Sequence, residues 1–221
     1  MNSAVCRYIA SVALACAASV AHADIIFTQS PGSNTGTDNV LFNCSGLATG
    51  PALTVQGCLN GSSAIINFTS DENLFANTGQ ARVFAQDGTF DSLMINLDPL
   101  ATSSFTSLIF NINTEQGDSG TITIDVKPIG ELLVSQSFSI ANGQNFFRVD
   151  AVNGEAIQYV SFLSSGLGIE SVQFDDVRQV RIGGVGSGGN TTTATVPEPA
   201  TLALLAIPIA FLGIRKRRRA A

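Results

Sequence analysis

Thr121-Ile122-Thr123-Ile124-Asp125-Val126 alternates apolar and polar side chains without a break. Successive side chains of an extended strand point to opposite faces, so Ile122, Ile124 and Val126 fall on one side and Thr121, Thr123 and Asp125 on the other. Residues 92–97 and 107–112 are more continuously apolar, as suits strands covered on both faces. Working outward, Asn142-Gly143 and Asn153-Gly154 bracket Phe146-Phe147-Arg148-Val149-Asp150-Ala151-Val152. Asn-Gly takes the positive φ angles of a tight turn, so residues 157–163 are expected as the hairpin partner of that segment. Asp87-Gly88 sits likewise between residues 81–85 and 90–97. No stretch from 25 to 182 shows helical periodicity. The pattern predicts nine to eleven short strands in an all-β, antiparallel β-sandwich of jelly-roll type, its core built on 14 Phe and no Trp.

The ends read differently. Arg7, an apolar run over residues 8–20 and Ala21-His22-Ala23 make a secretion signal, expected as a helix over residues 1–23. Signal peptidase would cut between Ala23 and Asp24, since small residues at both ends of the triplet fit its pockets. Leu14-Ala15-Cys16 loosely matches a lipidation box, but Ala13 stands where a larger aliphatic residue is usual. Residues 24–182 form the expected β-sandwich domain. Residues 183–196, Gly-rich and then Thr-rich, have nothing to bury and read as a linker.

The chain-wide charge of −6 hides an acidic body. Between residues 24 and 196, sixteen acids face only Arg82, Lys127, Arg148, Arg178 and Arg181, a net of −11. Such a surface excludes nucleic acid as a partner, because phosphate binding needs a cationic face. Cys6 and Cys16 leave with the signal; Cys44 and Cys58 remain as an even pair in an exported chain and are expected to form a disulfide.

Catalytic arrangements are scarce. The only histidine, His22, lies in the signal, so the exported part holds no Ser-His-Asp triad, Cys-His pair or histidine metal site. Gly117-Asp118-Ser119-Gly120 resembles a serine nucleophile loop but reads as the turn before the Thr121 strand. Asp175 and Asp176 are adjacent and should point to opposite faces of a strand, so they cannot act as a glycosidase pair. No cofactor is expected. Calcium, which needs only oxygen ligands, is the one ion the loops could hold, with Asp175 or Asp176 as candidate ligands, although no EF-hand spacing exists.

Residues 197–221 close the chain with Pro197-Glu198-Pro199, an apolar stretch over 201–214 and Arg215-Lys216-Arg217-Arg218-Arg219. The prolines stiffen an extended acidic handle. The apolar stretch is expected as a single transmembrane helix, and the basic cluster as a stop-transfer signal on the cytoplasmic side. This three-part tail resembles the PEP-CTERM sorting signal. The resemblance implies that an exosortase recognises Pro197, Glu198 and Pro199, that the protein is anchored in the inner membrane before processing, and that it then reaches the cell surface or the extracellular space. It also implies a link to exopolysaccharide and biofilm. Residues 143–147 and 169–182 are similar to the last strands of domains in that family, and Phe174-Asp175-Asp176-Val177-Arg178 resembles the closing strand of carbohydrate-binding jelly rolls. The function expected is a noncatalytic surface or matrix component. The alternatives are a calcium-assisted carbohydrate-binding module and a secreted carboxylate-dependent hydrolase.

Overall fold

Alternation sets the strands. The computed structural model describes residues 24–77, 82–165 and 172–187, and holds no helix among them. In chain order the strands are β1 (Ile25–Gln29), β2 (Asp38–Leu41), β3 (Ala52–Leu59), β4 (Ile65–Asn77), β5 (Arg82–Ala85), β6 (Ser92–Asp98), β7 (Ser103–Ser104), β8 (Ser107–Thr114), β9 (Gly120–Pro128), β10 (Val134–Ile140), β11 (Gln144–Ala151), β12 (Ile157–Ser165), β13 (Phe174–Gly183) and β14 (Gly186–Ser187). The described residues thus hold fourteen strands rather than nine to eleven; two of them are only two residues long. Ile122, Ile124 and Val126 on β9 are fully buried, as their alternation requires. Residues 107–112 of β8 are buried on both faces.

Twelve strands share one antiparallel hydrogen-bonded path, β1-β11-β8-β13-β2-β3-β4-β6-β12-β9-β10, with β5 joined to β13 and β4. The path folds over itself. Phe110 on β8 and Phe162 on β12, strands that do not pair, stack at 5.3 Å. Further ring contacts run Phe138–Phe147–Phe110 on one side and Phe162–Phe174–Phe90 on the other, with centroids 5.3 to 5.8 Å apart. This file of rings fills the space between the two halves of the sheet, where offset and edge contacts add to the area buried.

The expected hairpins do not form. Asn153 and Gly154 have φ of 55° and 88°, and Glu155 N–H donates to the Val152 carbonyl at 3.1 Å, so the local turn is as read. Yet β11 pairs with β1 and β8, while β12 pairs with β6 and β9. The turn carries the chain from one half of the sheet to the other. Across Asp87-Gly88, β5 and β6 do not pair with each other either: both pair with β4, β5 along Leu74–Asn77 and β6 along Ile65–Thr69, while β5 also joins β13 and β6 joins β12. Tight hairpins occur instead at Asn60-Gly61, between β3 and β4, and around Gly130, between β9 and β10. The glycines expected to open the linker begin inside the fold, because Gly183 ends β13 and Gly186 lies on β14, paired with β7.

Candidate functional site on the arginine face

Cross-strand register gathers the arginines. Thr28, Arg148, Ile109, Arg181 and Asn39 form one row across β1, β11, β8, β13 and β2. Phe146, Asn111, Arg178 and Arg82 form the next row across β11, β8, β13 and β5. All four arginines among the described residues therefore stand on one outward face, while Lys127 lies on β9. They were read from the sequence only as scattered counter-charges; their shared face follows from strand pairing, which no local pattern displays.

Asp176 is the centre of one cluster. Its carboxylate has no exposed surface and accepts from Arg178, through Nε at 2.5 Å and Nη2, while Nε of Arg82 stands 3.1 Å away in an ion pair without hydrogen-bond geometry. The carboxylate raises the Arg178 guanidinium above its ordinary pKa through the hydrogen bond they share. Arg82 also lies 5.0 Å over the Phe84 ring, a cation–π position. Asp175, with 41 % of its side chain exposed, accepts from Asn113 Nδ2 at 2.9 Å and lies 3.7 Å from Arg82. The two carboxylates do not stand on opposite sides as a regular strand would place them. The register of β13 shifts between Phe174 and Asp176, and such a bulge re-aims one side chain, so a single guanidinium reaches both. These residues do not fit a calcium ion. A cation at Asp176 would stand where two guanidinium groups already are, and among the described residues no group of three or more acidic, Cys or His side chains is placed to hold a metal.

A strap crosses the same face. β1 pairs with β11 and β2 with β13, so residues 30–37 must pass over β8 to connect them. Two arginines clamp the strap: Arg148 Nη1 donates to the Ser33 carbonyl at 3.2 Å, and Arg181 Nη2 to the Thr37 carbonyl at 2.7 Å. Arg148 is itself held by Asp150 at 2.7 Å, which raises its pKa. Gly183 lets the strap come close, for a Cβ there would lie 2.2 Å from the Gly36 carbonyl oxygen. Beside the strap, Pro31, Gly32, Ser33, Asn34 and the half-buried ring of Phe146 line an open groove of about 240 Å³. Asn111, fully buried next to Phe146 in the row, gives its amide to Gln144 Oε1 at 3.2 Å and has no hydrogen bond at Oδ1.

Of the other residues singled out, Cys44 and Cys58 are joined by a disulfide with Cα atoms 6.3 Å apart. Asp24 lies at the start of β1, where its carbonyl accepts from Val152 N–H at 3.0 Å. Ala23, Pro197, Glu198, Pro199, Arg215, Lys216, Arg217, Arg218 and Arg219 lie outside the described residues, as do the signal and transmembrane helices expected there.

The protein-family model for the PEP-CTERM protein-sorting motif matches residues 195–219. The chain carries a PEP-CTERM sorting motif. That motif indicates an exported protein that is anchored in a membrane and then processed. No curated protein matches the chain. Among solved structures, the chain is similar to two mutants of CBM29-2, a family 29 carbohydrate binding module. Each is 15 % identical; one covers 75 % of this chain and 93 % of its own with a TM-score of 0.32, the other 76 % and 94 % with a TM-score of 0.27. A third structure, described as a family 29 carbohydrate binding module, is 14 % identical over 75 % of this chain and 90 % of its own, with a TM-score of 0.22.

Proposed function

We propose that the chain is an exosortase substrate whose body, residues 24–182 and the short strand β14 after it, serves as a noncatalytic surface or matrix component. The sorting motif over residues 195–219 carries this reading. Pro197, Glu198 and Pro199 would be recognised at the inner membrane and the basic residues 215–219 would stop transfer, after signal peptidase has cut before Asp24. The body would then remain at the cell surface or outside it, in contact with exopolysaccharide of a biofilm. A noncatalytic role is supported by the absence of histidine after residue 22 and by the engagement of Asp176 with arginine. A two-layer jelly roll is supported by the strand order: β5-β13-β8-β11 runs in one half of the sheet and β6-β12-β9-β10 in the other, the interleaving that two Greek keys produce.

Mass spectrometry of the protein from its native host tests the sorting account. The finished product should lack residues 200–221, and Glu198→Gln should leave them attached. Wild-type product that retains them would overturn the proposal.

One observation favours a second reading, carbohydrate binding. The Phe146 ring, with the hydroxyl of Ser33 and the amide of Asn34 beside it, offers an apolar platform and polar partners in one groove, the mixture that fixes a small polyhydroxylated ligand. Binding of the chain on a glycan array, lost in Phe146→Ala, would support it. An array on which both proteins behave alike would count against it.

A further inference from the structure

The end of the body from which the tail departs can be located. Gly186 on β14 pairs with Ser104 on β7. The next residue, Phe105, bridges to Ile157 at the start of β12, and Ala156 accepts from Ile129 N–H at 2.9 Å at the base of the β9–β10 loop. The tip of that loop therefore lies at the tail's end of the body. It carries Leu132 and Leu133, 84 % and 47 % exposed, and Val185 just before β14 is 41 % exposed. Leu132 and Leu133 are adjacent, whereas the other exposed large apolar side chains Ile26, Leu53 and Leu163 stand singly along the chain, and contiguous exposed apolar surface marks a site of contact with a partner where single residues do not.

The rest of the chain indicates what that is. Between Ser187 and Thr201, where the apolar stretch over 201–214 begins, lie thirteen residues, which span at most about 45 Å. While that stretch is held in a bilayer, the tether limits how far the Leu132 end of the body can stand from the lipid to about 45 Å. We propose that Leu132 and Leu133 form a tip that rests in the membrane interface during this stage, setting how the body stands before the tail is cut. The proposal rests on the sorting reading. Glu131 directly precedes the leucines in the chain, and its charge and that of Asp24 both act on the Glu155 carboxyl. Their charge turns the tip away from anionic headgroups, so a zwitterionic lipid surface is the partner that fits.

The chain has no tryptophan, so Leu132→Trp supplies a single indole. The full chain is reconstituted with phosphatidylcholine vesicles carrying bromine on the acyl chains, floated, and its fluorescence read. Leu133→Trp is a second probe. Leu163→Trp, 51 % exposed and six positions along β12 from Ile157, is the control, about 20 Å from that end. The expected result is quenching and a blue shift for Trp at 132 and at 133, and neither at 163. If the chain floats but positions 132 and 133 are quenched no more than 163, the tip does not touch lipid and only this inference falls. If the chain does not float, the membrane hold itself fails and this inference falls with it.

Discussion

Arg82 Nε lies 3.1 Å from Oδ2 of Asp176, a carboxylate with no exposed surface, while 30 % of the arginine side chain remains in solvent. The pair and Arg178 tie β5 to β13 on the outer face. Removing one partner of a buried pair leaves an uncompensated charge, which costs more than the pair itself contributes.

Asp176→Asn is therefore expected to destabilise the body by about 3 to 5 kcal/mol. Asp175→Asn, at a half-exposed site, should cost under about 1 kcal/mol. Denaturant midpoints of the two variants measure the difference, and similar losses would contradict the assignment. Calcium chloride should leave the melting temperature of the wild type where it is.

The strap makes Gly183 irreplaceable. Gly183→Ala puts a methyl group 2.2 Å from the Gly36 oxygen, so either the strap or β13 must move. A loss of about 1 to 3 kcal/mol is expected, as for other overpacked sites. Gly186→Ala, whose Cβ would meet Ser104 Oγ at an ordinary 3.6 Å, should cost far less. Thermal melts of both variants, with limited proteolysis of residues 30–37, check the pair.

Glu72 gives the protein an acid-side gain. Burial, then the charge of Asp87 and its hydrogen bond, with Asp71 and Asp91 adding their charges, raises its carboxyl above the usual 4.5. The folded state thus holds this proton more tightly than the unfolded chain. The stabilisation is fully present below 4.5 and is lost as pH rises through the higher folded value. Glu72→Gln should raise the denaturant midpoint at pH 7 and have little effect at pH 4. An equal effect at both would show that charge is not the cause.

Opening the Cys44–Cys58 bond should cost roughly 3 kcal/mol, the loop-closure entropy expected for partners 14 positions apart. Unfolding curves with and without reductant measure it, with Cys44→Ala/Cys58→Ala as the control.

Local rules were legible in the sequence and long-range pairing was not. Ile122, Ile124 and Val126 declared their common face because alternation is a property of one strand. Asn153-Gly154 declared its turn because positive φ is a property of two residues. Whether the strands flanking a turn pair is decided by a competition among distant partners, and β11 is taken by β8 and β1. Asn60-Gly61, which does close a hairpin, carried the same signal, and residues 52–59 and 65–69 on either side would have supported it. The Asp176 cluster depends on a bulge in β13 and on Arg82 from β5, neither visible in Phe174-Asp175-Asp176-Val177-Arg178 alone. The groove beside Phe146 depends on the strap, whose course follows only from which strands β1 and β2 join.

The strap also bears on timing. A chain threaded outward with its N-terminus first presents β1 to the outside long before β11, its sole neighbour on the path, has emerged. β13, which touches β8, β5 and β2, is the last long strand to arrive. The body therefore closes only once β13 is available, when nearly all of its strands have emerged.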